Sequence, residues 1–263
     1  MAAREIIETI KATRDRLVFL KDMGIKDLPL TPELKNFLAD KPPAPEKTIQ
    51  PAPVIDNRRV STGNTSAMAT LMNRDANPVL EEIYADLAEC TRCPLHLKRR
   101  GIIPGQGEKT ARLLIIEDQP SENEEAAGVC VAGAAGELLD KMLKAIHLDR
   151  SDVYITSIVK CRPENDRLPT IDEINTCLPF LARQVAAVNP AVIFALGPLA
   201  ARTLTGNNQP LFRIRGKFHD FHGTSLMASF HPTFLLKNEE MKKASWIDLQ
   251  LVQKKLAENS PAR

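Results

Sequence analysis

Beyond residue 77 the chain alternates two hydrophobic patterns. Short unbroken apolar runs at Arg112–Ile116, Val153–Val159, Ala191–Leu196 and Ser225–Phe230 are rich in Val, Ile, Leu and Phe. They predict strands buried on both faces. Between them, apolar residues return every three or four positions, which predicts helices over Leu80–Leu87, Gly136–Ile146, Ile171–Val188, Gly197–Leu204 and Glu239–Ala257. In the second of these, Leu138, Leu139, Met142, Leu143 and Ile146 share one face. Thr170 stands where an N-cap is needed for the third. Strands alternating with helices predict an α/β fold with a mostly parallel central sheet covered on both faces. Function in such sheets gathers at the carboxyl ends of the strands. The segments to inspect therefore follow Ile116, Val159, Leu196 and Phe230.

The first part of the chain reads differently. Ile6, Ile7, Ile10, Leu17, Leu20 and Met23 recur at helical spacing, with Gly24 as a C-terminal cap and a short second helix around Pro32 to Leu38. Pro42, Pro43, Pro45, Pro51 and Pro53 come next, followed by the polar run Ser61 to Ser66. All glycines except Gly24 and Gly63 lie at or after Gly101, where a folded domain needs tight turns. The expected organisation is an N-terminal helical extension over residues 1–39, a Pro/Ser-rich flexible linker over 40–76 and the α/β domain over 77–263. The extension could dock on the domain, pair in a dimer or hold a protein partner.

Composition narrows the classes. The chain has 263 residues, 43% hydrophobic and 26% charged, with a net charge of +2. That excludes a strongly basic nucleic-acid coat but not a local basic patch. No apolar run reaches the ~18 residues of a membrane span. The N-terminus carries acids early and lacks an apolar stretch, so no secretory signal is expected and the cytoplasm is the expected compartment.

Five cysteines are too few for a disulfide-stapled fold. Cys90 and Cys93 form a C-x-x-C pair, Cys161 follows a strand and Cys177 lies within a helix. Four thiolates suit a tetrahedral metal or an iron–sulfur cluster. Arg92, Arg99, Lys160 and Arg162 supply positive charge nearby. A stray C-x-x-C with two buried structural thiols fits the spacing equally well. Cys130 is left over as a small apolar residue.

Seven blocks then run in order: Cys90-x-x-Cys93-Pro-Leu; Gly128-x-x-x-x-Gly133-x-Ala135-Gly136-x-Leu-Leu; Asp152-Val-Tyr-Ile-Thr-x-x-Val-Lys-Cys161-Arg-Pro163; Glu173-Ile-x-x-Cys177-x-Pro-Phe-Leu; Ala195-Leu-Gly197; Arg215-Gly216; and His231-Pro232-x-x-Leu-Leu. This order resembles the family 4 uracil-DNA glycosylases, the iron–sulfur members of their superfamily, from about Leu80 to Leu256. The resemblance implies a three-layer α/β/α sandwich. It also implies a 4Fe-4S cluster on Cys90, Cys93, Cys161 and Cys177, with zinc as the second choice, and a DNA substrate that is uracil-containing or single-stranded. A glycosylase must flip its base out of the stack. It needs a carboxylate for water and the cationic sugar, donors for the departing base, an aromatic face and an amide to read uracil.

The resemblance places these roles on particular residues. Asp118 stands where the family has its catalytic Glu, and His231 where it stabilises the leaving uracil. Val131 replaces the stacking Phe, Ser157 replaces the reading Asn, and Gly133 closes the same motif. Glu117 and Ser121 replace the two glycines of the family's first motif, so side chains can crowd the pocket. Leu235 and Leu236 match the loop that wedges into DNA. Lys237 and Arg162 are expected at phosphates. Two alternatives stand beside excision of uracil: a glycosylase for another damaged base, and a non-catalytic iron–sulfur protein that binds DNA or a partner on the same fold.

Overall fold

The computed structural model of the chain describes residues 79–259. The expected N-terminal helix and linker lie outside the described residues. Four strands, β2 (Leu113–Glu117), β3 (Val153–Ser157), β4 (Val192–Leu196) and β6 (Thr224–Ser229), form the parallel centre of a six-stranded sheet. These are the four apolar runs of the sequence. Every residue of β2, β3 and β4 is buried, which is why the runs are unbroken.

Two further strands pair antiparallel at the edges, β1 (Gln106–Gly107) on β3 and β5 (Phe218–Phe221) on β6. Neither has a hydrophobic signal. β1 is two residues long, and Gly107, at φ 122°, passes so close to the Val153 carbonyl that a Cβ would clash. β5 reaches β6 through His222 and Gly223, both at positive φ, as a two-residue hairpin of the I′ kind requires.

The helices are α1 (Leu80–Ala88), α2 (Glu122–Ala127), α3 (Gly133–Ala145), α4 (Ile171–Val188), α5 (Pro198–Thr205), α6 (Leu211–Ile214), α7 (Pro232–Lys237) and α8 (Lys242–Glu258). Side chains alternate across the sheet. Leu114, Ile116 and Ile193 face one core with α1, α4 and α5, while Leu113, Ile115 and Phe194 face another with α3 and α8. The result is the expected three-layer α/β/α sandwich. Thr170 caps α4 as its sequence predicts. Its hydroxyl accepts from the Glu173 N–H at 3.3 Å, and the Glu173 carboxylate accepts from the Thr170 N–H at 2.7 Å.

A buried ion pair fastens α8 to the sheet. Asp248 is fully buried and accepts from Arg215 Nε at 2.9 Å, Arg215 Nη2 at 2.8 Å and the Ser229 hydroxyl at 2.6 Å. Removing one partner leaves a desolvated charge. Asp248→Ala is therefore expected to destabilise the domain by about 3–5 kcal/mol, read as a lower urea midpoint. An unchanged midpoint would show that Arg215 finds water or another acceptor.

Candidate active site

Strand register aligns the site. Ser157, Glu117, Leu196 and Ser229 lie side by side as the last residues of β3, β2, β4 and β6. Just beyond them come Asp118, Gly197 and His231. Gly197, at φ 109°, leaves room for the Asp118 carboxylate, which any Cβ there would strike. Asp118 Oδ1 accepts from the Ala200 N–H at 2.7 Å, in the first turn of α5. Burial pushes the Asp118 carboxyl up to about 6, and the Ala200 N–H and the neighbouring His231 hold it from rising further.

His231 is the N-cap of α7. Its Nδ1 accepts from the Thr233 N–H at 3.2 Å. A ring nitrogen that accepts carries no proton, so in the neutral imidazole the hydrogen sits on Nε2. Burial holds the imidazole below its ordinary pKa and so favours that neutral form. The Nε2–H points at Glu117 Oε2, 3.2 Å away.

Glu117 is the surprise of the site. It is fully buried, and its Oε1 has no well-formed hydrogen bond. Burial pushes its carboxyl up to about 8; the Cys130 thiol, the Glu124 carboxyl, the Val131 N–H and the more distant Lys160 charge offset part of that rise. Glu124, also buried, is fixed by the capping box of α2, where it accepts from the Ser121 N–H. Polar atoms of Glu117, Glu124 and His231 lie within 4.8 Å of one another. Two carboxylates and an imidazole would suit a divalent cation. A ligating histidine, however, donates from its other nitrogen. Here that nitrogen accepts, so the trio is arranged to share protons. The sequence marks Glu117 as a side chain in place of a motif glycine, but Glu124 does not stand out, because it lies in an acid-rich stretch that reads as surface.

The residues expected to read and stack a base are engaged elsewhere. The Ser157 hydroxyl donates to the Val159 carbonyl at 2.8 Å. Val131 is buried in the core between the sheet and α3, at φ 48°, a strained conformation for a β-branched residue. Arg150 holds that backbone through the Val131 carbonyl at 3.0 Å and the Cys130 carbonyl. Gly133 opens α3 at φ 61°.

The expected DNA contacts need correction. Phe234 to Leu236 belong to a short helix, α7, not to a loop. Leu235 is buried in the core beneath it, because the i, i+3 spacing from Pro232 turns it inward. Leu236 is 41% exposed, and Lys237 is exposed beside it. Arg162 is held by Asp166 at 2.7 Å, Glu125 at 3.5 Å and Glu122 at 3.8 Å, so its charge is already answered.

Cys90, Cys93, Cys161 and Cys177 line one small cavity together with Arg99 and Lys160. All four are free thiols. Burial raises the thiols of Cys93 and Cys161, and that of Cys177 to about 11. Arg99 donates to the Cys161 sulfur at 3.4 Å and to the Cys90 carbonyl at 2.7 Å. Four cysteines around one cavity, with Arg99 and Lys160 beside them, are of a residue type that suits a thiolate-bound metal group, although among the described residues their sulfurs are not drawn together as a ligand cluster. Cys130 lies apart from them, buried against Glu117.

Residues 104–250 match the uracil DNA glycosylase superfamily. A type-4 uracil-DNA glycosylase of Thermotoga maritima is 37% identical over 162 residues, spanning 61% of this chain and 84% of the relative. The type-4 enzyme of Pyrobaculum aerophilum is 32% identical over 180 residues, spanning 65% and 92%. That of Archaeoglobus fulgidus is 31% identical over 190 residues, spanning 69% and 96%.

The buried acids give stability a pH dependence. Glu117 moves from 4.5 in the open chain to about 8 in the fold, so the folded state keeps a proton that the unfolded chain releases. Its stabilising effect is full below pH ~4.5 and is lost as pH rises through about 8. Glu124 and Asp118, also raised, act in the same direction, while His231, lowered, opposes them near its ordinary pKa. The unfolding free energy from urea titrations should fall from pH 5 to pH 8, by up to about 1.4 kcal/mol per pH unit for one proton. Glu117→Gln should flatten that slope; an unchanged slope would remove Glu117 as its source.

Proposed function

This chain belongs to the uracil DNA glycosylase superfamily, and we propose that it hydrolyses the N-glycosidic bond of a uracil flipped out of DNA, as a base-excision repair enzyme. The observation that carries the reading is the placing of Asp118 just after β2 and His231 just after β6, either side of β4 and its Gly197, with the two side chains close enough for the imidazole to act on the carboxyl. Asp118 orients a water at the sugar C1′ and takes its proton as the new C–O bond forms and the C1′–N1 bond breaks. Its carboxylate also balances the positive charge that develops on the sugar. The neutral His231 offers its Nε2–H to the oxygen of the departing base, where negative charge grows. The type-4 relatives are named for this activity.

The DNA side of the reading rests on α7, with Leu236 exposed at its end and Lys237 beside it for a phosphate. A 4Fe-4S cluster on Cys90, Cys93, Cys161 and Cys177 would serve as a structural cross-link. Those residues belong to the segment after α1, the turn after β3 and the middle of α4. Arg99 and Lys160 would offset its charge.

A second reading keeps the fold without the chemistry: an iron–sulfur protein that binds DNA, or a partner through its N-terminal extension. Its specific support is the Glu117 side chain beside His231 and the Ser157 hydroxyl held by backbone.

Two measurements decide. Purified protein should release uracil from single- or double-stranded oligonucleotides, and Asp118→Asn should slow release by about 10²-fold or more. No release at high enzyme excess would favour the second reading. Iron and acid-labile sulfide should co-purify with the protein and be lost in Cys161→Ser; stoichiometric zinc instead would overturn the cluster.

A further inference from the structure

The strongest unexplained feature is a carboxyl group lodged against the donor that the glycosylase reading assigns to the departing base. Glu117 is the last residue of β2, and its side chain is wholly buried at the carboxyl edge of the sheet. Its Oε2 takes the His231 Nε2–H at 3.2 Å. Chemically, a carboxyl oxygen on a planar carbon resembles the carbonyl oxygen of a pyrimidine edge. It is an acceptor of the same kind. His231 cannot turn its other nitrogen to a base, since Nδ1 is committed to the Thr233 N–H. Glu117 and a base oxygen therefore compete for one hydrogen.

The Glu117 carboxyl is incompletely satisfied where it lies. Its Oε1 is left without a well-formed hydrogen bond, an arrangement that destabilises a buried polar group. Glu124 and the Cys130 thiol stand close by and limit where the carboxyl could retreat. A glycine at the same place would leave the His231 donor open and the volume of the side chain empty.

We infer that Glu117 is the specificity-determining residue of this pocket: it holds the His231 donor and the space beside it, and so restrains the entry of uracil. The inference rests on the reading of Asp118 and His231 as a glycosylase pair. A base is admitted only when the Glu117 side chain rotates away and surrenders the Nε2–H. Release of uracil by the natural sequence is correspondingly slow, and the restraint lies in a single side chain.

The test uses the full-length protein, as purified, in four versions: natural, Glu117→Gly, Glu117→Ala and Glu117→Gln. Uracil release from a single-stranded oligonucleotide is measured under single turnover. Binding of free uracil is measured by calorimetry, and folding is checked by thermal melting. The expected result is at least a tenfold faster release for the Gly and Ala variants and tighter binding of free uracil by both. The gain should follow the space opened, with Gly and Ala above Gln. A Gln variant that gains as much as Gly would overturn the inference, since Gln fills the same space as Glu117. Folded Gly or Ala variants that release uracil no faster than the natural protein, while the natural protein does release it, would overturn it and leave the glycosylase reading standing. If no version releases uracil but the Gly or Ala variant alone binds it, Glu117 is upheld as the residue that restrains entry of the base, and it is the catalytic role of Asp118 and His231 that falls. No release and no binding by any folded version would overturn it. The Ala variant retains a Cβ and better strand propensity than Gly, and serves where the Gly variant does not fold.

Discussion

The hydrogen bond between Glu117 and His231 organises the carboxyl edge of this sheet. A glutamate at the end of a central parallel strand is out of water on all sides, and an ionised carboxylate there would destabilise the fold by several kcal/mol. The protein meets that constraint chemically: burial pushes the carboxyl up to about 8, so near neutrality it carries its proton. Glu124, the Cys130 thiol and the Val131 N–H crowd the same place. His231 then completes the arrangement, because the Thr233 N–H fixes which of its nitrogens is the donor. The same hydrogen that satisfies Glu117 is the one a leaving base would need. Stability and chemistry thus compete for a single proton position.

The sheet was legible in the sequence wherever burial is two-sided. β2, β3, β4 and β6 announce themselves as unbroken apolar runs, and α4 does so through its period and the Thr170 cap. The edge strands were not legible, since pairing on one side only asks for little apolar surface. Gly107 in β1 and the His222–Gly223 turn before β6 are backbone solutions, and backbone conformation leaves a faint trace in side-chain type. α7 reads as a loop because six residues give less than two turns of periodicity, and only its Pro232 and capping His231 mark it as a helix.

Side-chain roles were less legible than positions. Motif spacing singles out Asp118, Ser157, Val131 and Arg162, but it does not say which partners their side chains take. Ser157 turns to the Val159 carbonyl, and Arg162 turns to carboxylates on α2 and the turn after it. For Glu117, strand parity held a usable signal. Leu113 and Ile115 face the α3 side, and a residue two further on falls on that same face. Parity thus turns Glu117 inward, beneath Cys130 and Val131, although its acidic neighbours suggest a surface.

Lys160 joins this edge to the cysteine cavity. It is buried, and its ammonium donates to the Thr156 hydroxyl at 2.6 Å and to the Ser157 carbonyl at 2.5 Å. It lines the cavity of the four cysteines, and its charge also reaches the Glu117 carboxyl. One buried cation therefore favours the ionised form of two acidic sites, the Glu117 carboxyl and the cysteine thiols. Its hydrogen bonds to the end of that strand fix it there without help from solvent. The segment Thr156–Cys161 cannot be repacked on the cysteine side without moving the backbone carbonyl of Ser157, which stands in register with Glu117. The thiol cavity and the pocket edge are consequently coupled through the hydrogen bonds of a single lysine.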